Sequence, residues 1–424
     1  MLKKKSFYWV TLAFLLISSK GSLLFYDDIF WFLLILYIIF IDPKNVIRSA
    51  STKFFVGTSL GFLALSVIQY LLNTPDSQYL VSNILFLFKY ILLTYLVANF
   101  LKHRLIDMVV LVMRDLAYIG LAFFALQLIS FDTVFSVASS VTSLYTKANP
   151  DPSTKNLLVF NLSTYHKIRN SGFAWEPGAY GCFLVLTLLL SLIRDKFKLG
   201  KTQYLFLFSI LTTLSTTAYL GLLVVIVCYL RARKVKILTM LLYMVPVLIV
   251  VMNVSFLSSK IQSQIFNDLD MIDNLSTRSE FYSNEGSKMP LNRFASMIFI
   301  TTQFGYKLIW GMSNKYENYF IREFAVNLSN GDFDLIARFG LIGLTFYLSR
   351  VWAFFRAITN REMAFYSIFT LLVLGYAENI LLLPFFLIFI FAKKTYFVYV
   401  VHRGARLVSQ AHDTTSTNTL SSTT

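Results

Sequence analysis

Residues 169–193 read RNSGFAWEPGAYGCFLVLTLLLSLI. The second half is an unbroken apolar run that, counted from Pro177, reaches the length and composition of a short membrane span. The first half places Arg169, Glu176, two glycines and Pro177 at its mouth. Proline suits the first turn of a helix, where its missing N–H costs nothing. The stretch therefore predicts a helix that starts at Pro177, with a carboxylate and a guanidinium just outside it.

Working outward, similar runs recur along the chain. It has 424 residues, of which 56% are hydrophobic and 14% charged, with 42 Phe and 24 Tyr. Its mean hydropathy is +0.64. A soluble protein of this size needs more charge to cover its surface. Continuous rather than alternating apolar segments argue against a β-barrel. The expected fold is all-α: a polytopic helical membrane protein with about twelve transmembrane helices. Spans are expected near 6–19, 29–41, 54–73, 79–99, 106–130, 178–193, 203–214, 216–230, 237–256, 334–350, 363–376 and 379–392. The segments 203–230 and 363–392 are each read as two short helices, broken at Ser215-Thr216-Thr217 and at Tyr376-Ala377-Glu378-Asn379. The membrane domain covers 1–392, and 393–424 is a polar, mostly disordered cytoplasmic tail.

Charge assigns the sides. Lys44 and Arg48, Lys102 and Arg104, Arg194 to Lys201, Arg231 to Lys236, and Arg350, Arg356 and Arg361 fall on alternate, inner loops. By the positive-inside rule both termini are cytoplasmic. The formal charge of +16 comes largely from these loops and gives no reason to expect nucleic acid. Two longer loops, 131–177 and 257–333, then lie outside. Cys182 and Cys228 both fall in spans and define neither a redox framework nor a metal site.

The candidate chemistry gathers on those outer loops. Glu176 is either a helix cap or a general base at the bilayer surface; the residues leave both readings open. Arg169 would bind an anionic group. Arg278, Arg293, Lys307 and Arg338 are further cations, and an arginine fork grips two phosphate oxygens at once. Trp175 and Tyr180 are candidate sugar-facing aromatics. Asp332, in the first turn of a later helix, is the rival base. Lys89 and the neighbours Arg114 and Asp115 fall within spans, where charge is costly and is usually paired or lines a cavity. Adjacent on a helix, Arg114 and Asp115 are expected to point in different directions.

Three pieces of the chain resemble the O-antigen polymerase and ligase superfamily of bacterial envelope glycosyltransferases, which also includes capsular polysaccharide polymerases. They are RNSGFAWEPGAYG at 169–181, LTTLSTTAYLGLLV at 211–224, and the stretch from Arg278 to Gly343 with GYKLIWGMSNKY and NGDFDLIARFGLIGL. The resemblance covers roughly residues 50–392. It implies a GT-C-like helical bundle in the bacterial inner membrane, with its active site on the outer face. The implied reaction is metal- and cofactor-independent inverting transfer of a glycan from undecaprenyl diphosphate to a lipid-linked repeat unit. Glu176, Arg169, Arg278 and Arg293 would be catalytic; Arg338, Trp175, Tyr180, Lys307 and Asp332 would bind substrate. Membrane lipids, a chain-length regulator and a repeat-unit flippase are the further partners it implies. Ligases of the superfamily use a histidine in the large outer loop, and 257–333 contains none. That favours polymerase over ligase. A transporter of lipid-linked oligosaccharide is the alternative from another class.

Overall fold

The computed structural model describes residues 2–43, 50–73, 77–145, 151–236, 239, 270, 272–285, 289–314, 326–393 and 395. The expected span at 237–256, Lys315, Arg322 and nearly all of the tail lie outside these residues. The protein is predominantly helical. Four helical stretches among the described residues are long and apolar enough to cross a membrane: Ser51–Leu72, Gln78–Ile129, Pro177–Arg194 and Gly331–Ile358.

The main helices are α1 (Leu2–Ile17), α2 (Asp28–Ile41), α3 (Ala50–Leu72), α4 (Ser77–Phe86), α5 (Leu92–Leu101), α6 (Leu105–Ile129) and α7 (Phe131–Thr142). One π-helical turn, Leu87–Ile91, joins α4 to α5. A 3₁₀ turn at Lys102–Arg104 separates α5 from α6. There follow α8 (Pro177–Arg194), α9 (Lys201–Thr212), α10 (Thr216–Ala232), α11 (Leu275–Asn284), α12 (Arg293–Gln303), α13 (Lys307–Trp310), α14 (Gly331–Ile358) and α15 (Arg361–Ala377). The last is α16 (Pro384–Lys393).

The segments 203–230 and 363–392 both reverse direction. Helix α9 starts beside the end of α8, where Gln203 Nε2 donates to Asp195 Oδ2 at 2.6 Å. It ends beside the residues that precede α8, where Asn170 Nδ2 donates to Thr212 Oγ1 at 3.0 Å. The chain turns at 213–215, and Ser215 caps α10. Helix α10 then runs parallel to α8, with Ala218 against Gly181 and Gly221 against Val185. The second reversal follows Glu378. Helix α15 meets α10 antiparallel, through Arg231–Glu362 at one end and Gly221–Leu374 towards the other. Helix α16 instead follows α14, with Tyr347 Oη donating to the Phe386 carbonyl and Arg350 Nε to that of Ile390.

These directions give the bundle two unlike ends. The basic turns at Lys102–Arg104, 195–200, 232–236 and 358–361 share one end. The segments around 18–22, 151–176, 213–215, 289–293, 326–332 and 378–383 share the other, hereafter the loop end. Among the described residues the alternation read from charge is therefore present in the packing.

The loops carry regular structure of their own, including four short strands among the described residues. Strand β1 (Thr154–Asn156) pairs antiparallel with β2 (Asn161–Ser163). Strand β3 (Met289–Leu291) pairs parallel with β4 (Val326–Leu328). The second pair sets the start of α12 beside the start of α14, because each strand runs directly into its helix. Asn330 Nδ2 fastens the junction by donating to the Arg293 carbonyl at 3.1 Å.

Helix α14 is kinked at Gly340 (φ +70°), which faces Gly311 (φ +74°) at the end of α13. A Cβ on either glycine would strike the other segment's backbone. Both conformations belong to the left-handed region that glycine alone adopts freely. A polar belt surrounds this contact. Gln69 Nε2 donates to the carbonyls of Trp310 and Arg338, and Asn83 Nδ2 donates to Gln69 Oε1.

The charges placed within spans are paired. Lys89 pairs with Asp28 and lies 4.4 Å from the Trp31 ring centroid. Arg114 and Asp115 do not point apart: Arg114 Nη2 donates to Asp115 Oδ1 at 2.8 Å, and Tyr8 Oη donates to Asp115 Oδ2. The long Arg114 side chain reaches its neighbour's carboxylate, which sequence adjacency did not suggest.

Candidate active site

Four charged side chains meet at the loop end: Arg169, Glu176, Arg293 and Glu378. Each comes from a different segment, and each is held by local structure.

Glu176 occupies the N-cap position of α8 with extended backbone (φ −154°, ψ +161°), but its carboxylate caps nothing. Oε1 instead accepts from Trp175 Nε1 at 3.0 Å. The side chain thus leaves the helix axis and points across the site. Of the two readings of Glu176 left open by its sequence context, the cap loses its geometric basis.

Arg169 is half-buried, and its Nε donates to the Thr213 carbonyl at 3.0 Å. That carbonyl lies where α9 has ended, so it lacks a helical partner. Burial lowers the pKa of the guanidinium, while Glu176, Glu378 and Tyr219 oppose the shift. All three therefore lie within its electrostatic reach.

Arg293 begins α12. Its Nε donates to the Ala377 carbonyl at 2.6 Å and its Nη2 to Glu378 Oε1 at 3.2 Å. Glu378 lies in the turn after α15 and is 6% exposed. It packs over the first turn of α8, where a Cβ on Gly178 would collide with Oε1. Its carboxyl is also hydrogen-bonded to that of Glu176. Burial pushes the Glu378 pKa well above the usual carboxylate range; the neighbouring Glu176 adds to the shift, and Arg293 opposes it.

Asp332 flanks this group on α14. Its backbone N–H donates to Asn330 Oδ1, and its own Oδ1 is buried against Gly375 without a hydrogen-bond partner. The adjacent Gly331 touches the Glu378 carbonyl.

The other candidates are placed elsewhere. Arg278 pairs with Asp270 at 2.6 Å on exposed α11. Arg338 is committed to Asp334, with Nε 3.0 Å from both carboxylate oxygens, and to Asn314 through Nη1. Lys307 lies on α13, which packs against α3 and α14 around the Gly340 kink. Trp175 belongs to the site through its bond to Glu176 and also lies under Lys20, whose ammonium is 5.4 Å from the ring centroid. Tyr180 is fully buried, edge-on to Phe173, with its hydroxyl closed off between Gly120 and Gly172. A side chain so enclosed cannot face a sugar. It sits on the inward side of the first turn of α8, whereas Glu176 precedes that turn.

Glu378 is the member the sequence reading used only as a break marker. One signal could have found it: it is the sole acidic residue in the apolar stretch 363–392, and charge within such a stretch marks function or a buried pair.

Compared with known protein families, with curated proteins and with solved structures, the chain matches none.

Proposed function

We propose that the protein is a membrane glycosyltransferase of the polysaccharide-polymerase kind. It would transfer a glycan from undecaprenyl diphosphate to a lipid-linked repeat unit, with inversion, on the outer face of a bacterial inner membrane. The observation that carries this reading is the meeting of Glu176, Glu378, Arg169 and Arg293 at the loop end of an apolar helical bundle.

Two needs of the reaction find residues there. An acceptor hydroxyl needs a base as its oxygen bonds the anomeric carbon. Glu176 is carboxylate-bearing, half-buried and free of capping duty. The departing diphosphate needs preorganised positive charge. Arg169 and Arg293 each use Nε on a fixed backbone carbonyl, which orients the guanidinium plane and leaves further N–H groups for phosphate oxygens. A lipid-borne diphosphate sits at the membrane surface, as does an end of the bundle built from loops and turns. Sequence resemblance supports the same reaction class.

The test is chain extension by purified protein in nanodiscs, given a synthetic repeat unit on a polyprenyl diphosphate. A ladder of longer lipid-linked products is expected, strongly reduced in Glu176→Gln. An absent ladder under conditions where the folded protein binds the donor would overturn the proposal, as would a normal ladder from Glu176→Gln.

A further inference from the structure

We propose that Glu176 and Glu378 act as one unit, a carboxyl pair that shares a single proton, with Glu378 its resident holder. The inference rests on the function proposed above and adds a residue and a charge state to it.

Two carboxyl groups in hydrogen-bond contact cannot both be ionised cheaply, and a proton between them turns repulsion into a hydrogen bond. The surroundings decide which carboxyl keeps it. Glu378 is the more buried of the two, enclosed by the Gly178 turn and the end of α15. Glu176 is the more open and already accepts an N–H from Trp175. The other ionisable groups facing the pair are Arg293 from α12, Arg169 and Tyr219 across the site, Cys182 on α8 and Asp332 on α14. Arg293 touches Glu378 through one N–H only, its Nε being engaged by the Ala377 carbonyl. One cation at 3.2 Å is shared against burial and a second carboxylate.

The charge count gives the pair its use. With one proton shared, the two arginines and the pair carry a single net positive charge, suited to an anionic diphosphate. The pair can still accept a proton. As the acceptor oxygen bonds the anomeric carbon, its proton passes to the Glu176 carboxylate. The bond from that carbon to the diphosphate breaks, and the diphosphate leaves with the electron pair beside the arginines. The second proton is then released to water, and the pair returns to its starting state. Glu378 touches neither reactant in this scheme; it is a positioning residue that keeps Glu176 oriented.

The experiment is infrared spectroscopy of the purified protein in nanodiscs across pH, reading the C=O stretch of protonated carboxyl groups. Wild type is expected to keep such a band well above the ordinary glutamate range. Glu378→Gln should remove the part of it that the buried Asp332 carboxyl does not supply. Glu176→Gln should shift its loss to lower pH, because the repelling carboxylate is gone. Asp332→Asn controls for the other buried carboxyl and should leave the rest of the band in place. A band unchanged in Glu378→Gln, or absent from wild type, would overturn the shared proton even if chain extension is normal. The band intact with no chain extension would instead overturn the proposed function.

Discussion

Arg293 spans 85 residues of sequence to reach Glu378, and the same guanidinium closes the end of α15 through the Ala377 carbonyl. A helix leaves its last carbonyls without partners, and a cation there also meets the negative end of the helix dipole. One side chain thus serves as helix cap and as carboxylate partner. Lysine can reach either acceptor but lacks the fork that engages both. Arg293→Lys is therefore expected to lose most chain extension. Arg293→Ala should lose it entirely and cost about 1–3 kcal/mol of stability, the range for a buried polar group left unmatched. Activity assays with thermal unfolding in detergent separate the two effects.

Arg278 provides the contrast. Its partner Asp270 is exposed and so is Arg278 itself. Exposed ion pairs contribute about 0–1 kcal/mol. Arg278→Ala should fold and extend chains near the wild-type rate, whereas Arg169→Ala should not. Equal losses in both variants would detach phosphate binding from the cluster described here.

Removing the proposed base should be severe. A general base contributes about 10²- to 10⁴-fold in rate. Glu176→Gln is expected in that range with donor binding retained. Glu378→Gln should lose less than Glu176→Gln and should move the pH optimum, since it alters the base without replacing it. Rate–pH profiles of the two variants check this.

The pH dependence of stability has a defined sign. The pKa of Glu378 is raised above its ordinary value of 4.5, so the folded state keeps a proton that the unfolded state releases. Its stabilising share is complete below the ordinary value. It is lost as pH rises from there through the raised one. Unfolding of wild type in detergent should show this decline, and Glu378→Gln should show a smaller one.

Topology is open to labelling. Ser153 adjoins β1 and Ser283 lies near the end of α11, both on the loops expected outside. Single cysteines at either position should react with an impermeant maleimide in intact cells, or in spheroplasts where an outer membrane intervenes. Protection of either would reverse the proposed sidedness.

Much of the framework was legible because apolar runs and basic turns report directly on helices and their ends. Ser215 and the Glu378 region were readable as breaks, since polar residues interrupt otherwise continuous apolar sequence. Pro177 was readable as belonging to the first turn of α8. Arg293 was readable as a cation next to an apolar helix. Its partner was not, because nothing local in either stretch encodes a contact 85 residues away. Tyr180 misled for a related reason: a tyrosine beside a charged motif looks exposed until the neighbouring helices bury it. Arg338 looked like a free cation, although Asp334 four residues earlier is at the spacing of a helical ion pair and could have been matched to it. Glycine signals were the least legible. Gly178 is required by Glu378, and Gly340 by Gly311, through close approaches that exist only in the folded bundle.

The loop end also joins the beginning of the chain to its end. Ser18 Oγ accepts from the Phe385 N–H across 367 residues, and Ser19 Oγ donates to the Phe173 carbonyl, three residues before Glu176. A ribosome delivers these partners in order. Arg169 and Glu176 emerge long before Arg293 and Glu378, so a nascent chain holds half of the cluster with no means of completing it. The arrangement makes competence coincide with completion: only when the last hairpin docks do both carboxyls and both guanidiniums come together, and the first helix is fastened in the same event. Chains stalled before α15 should insert yet lack Glu378, and with it the complete cluster.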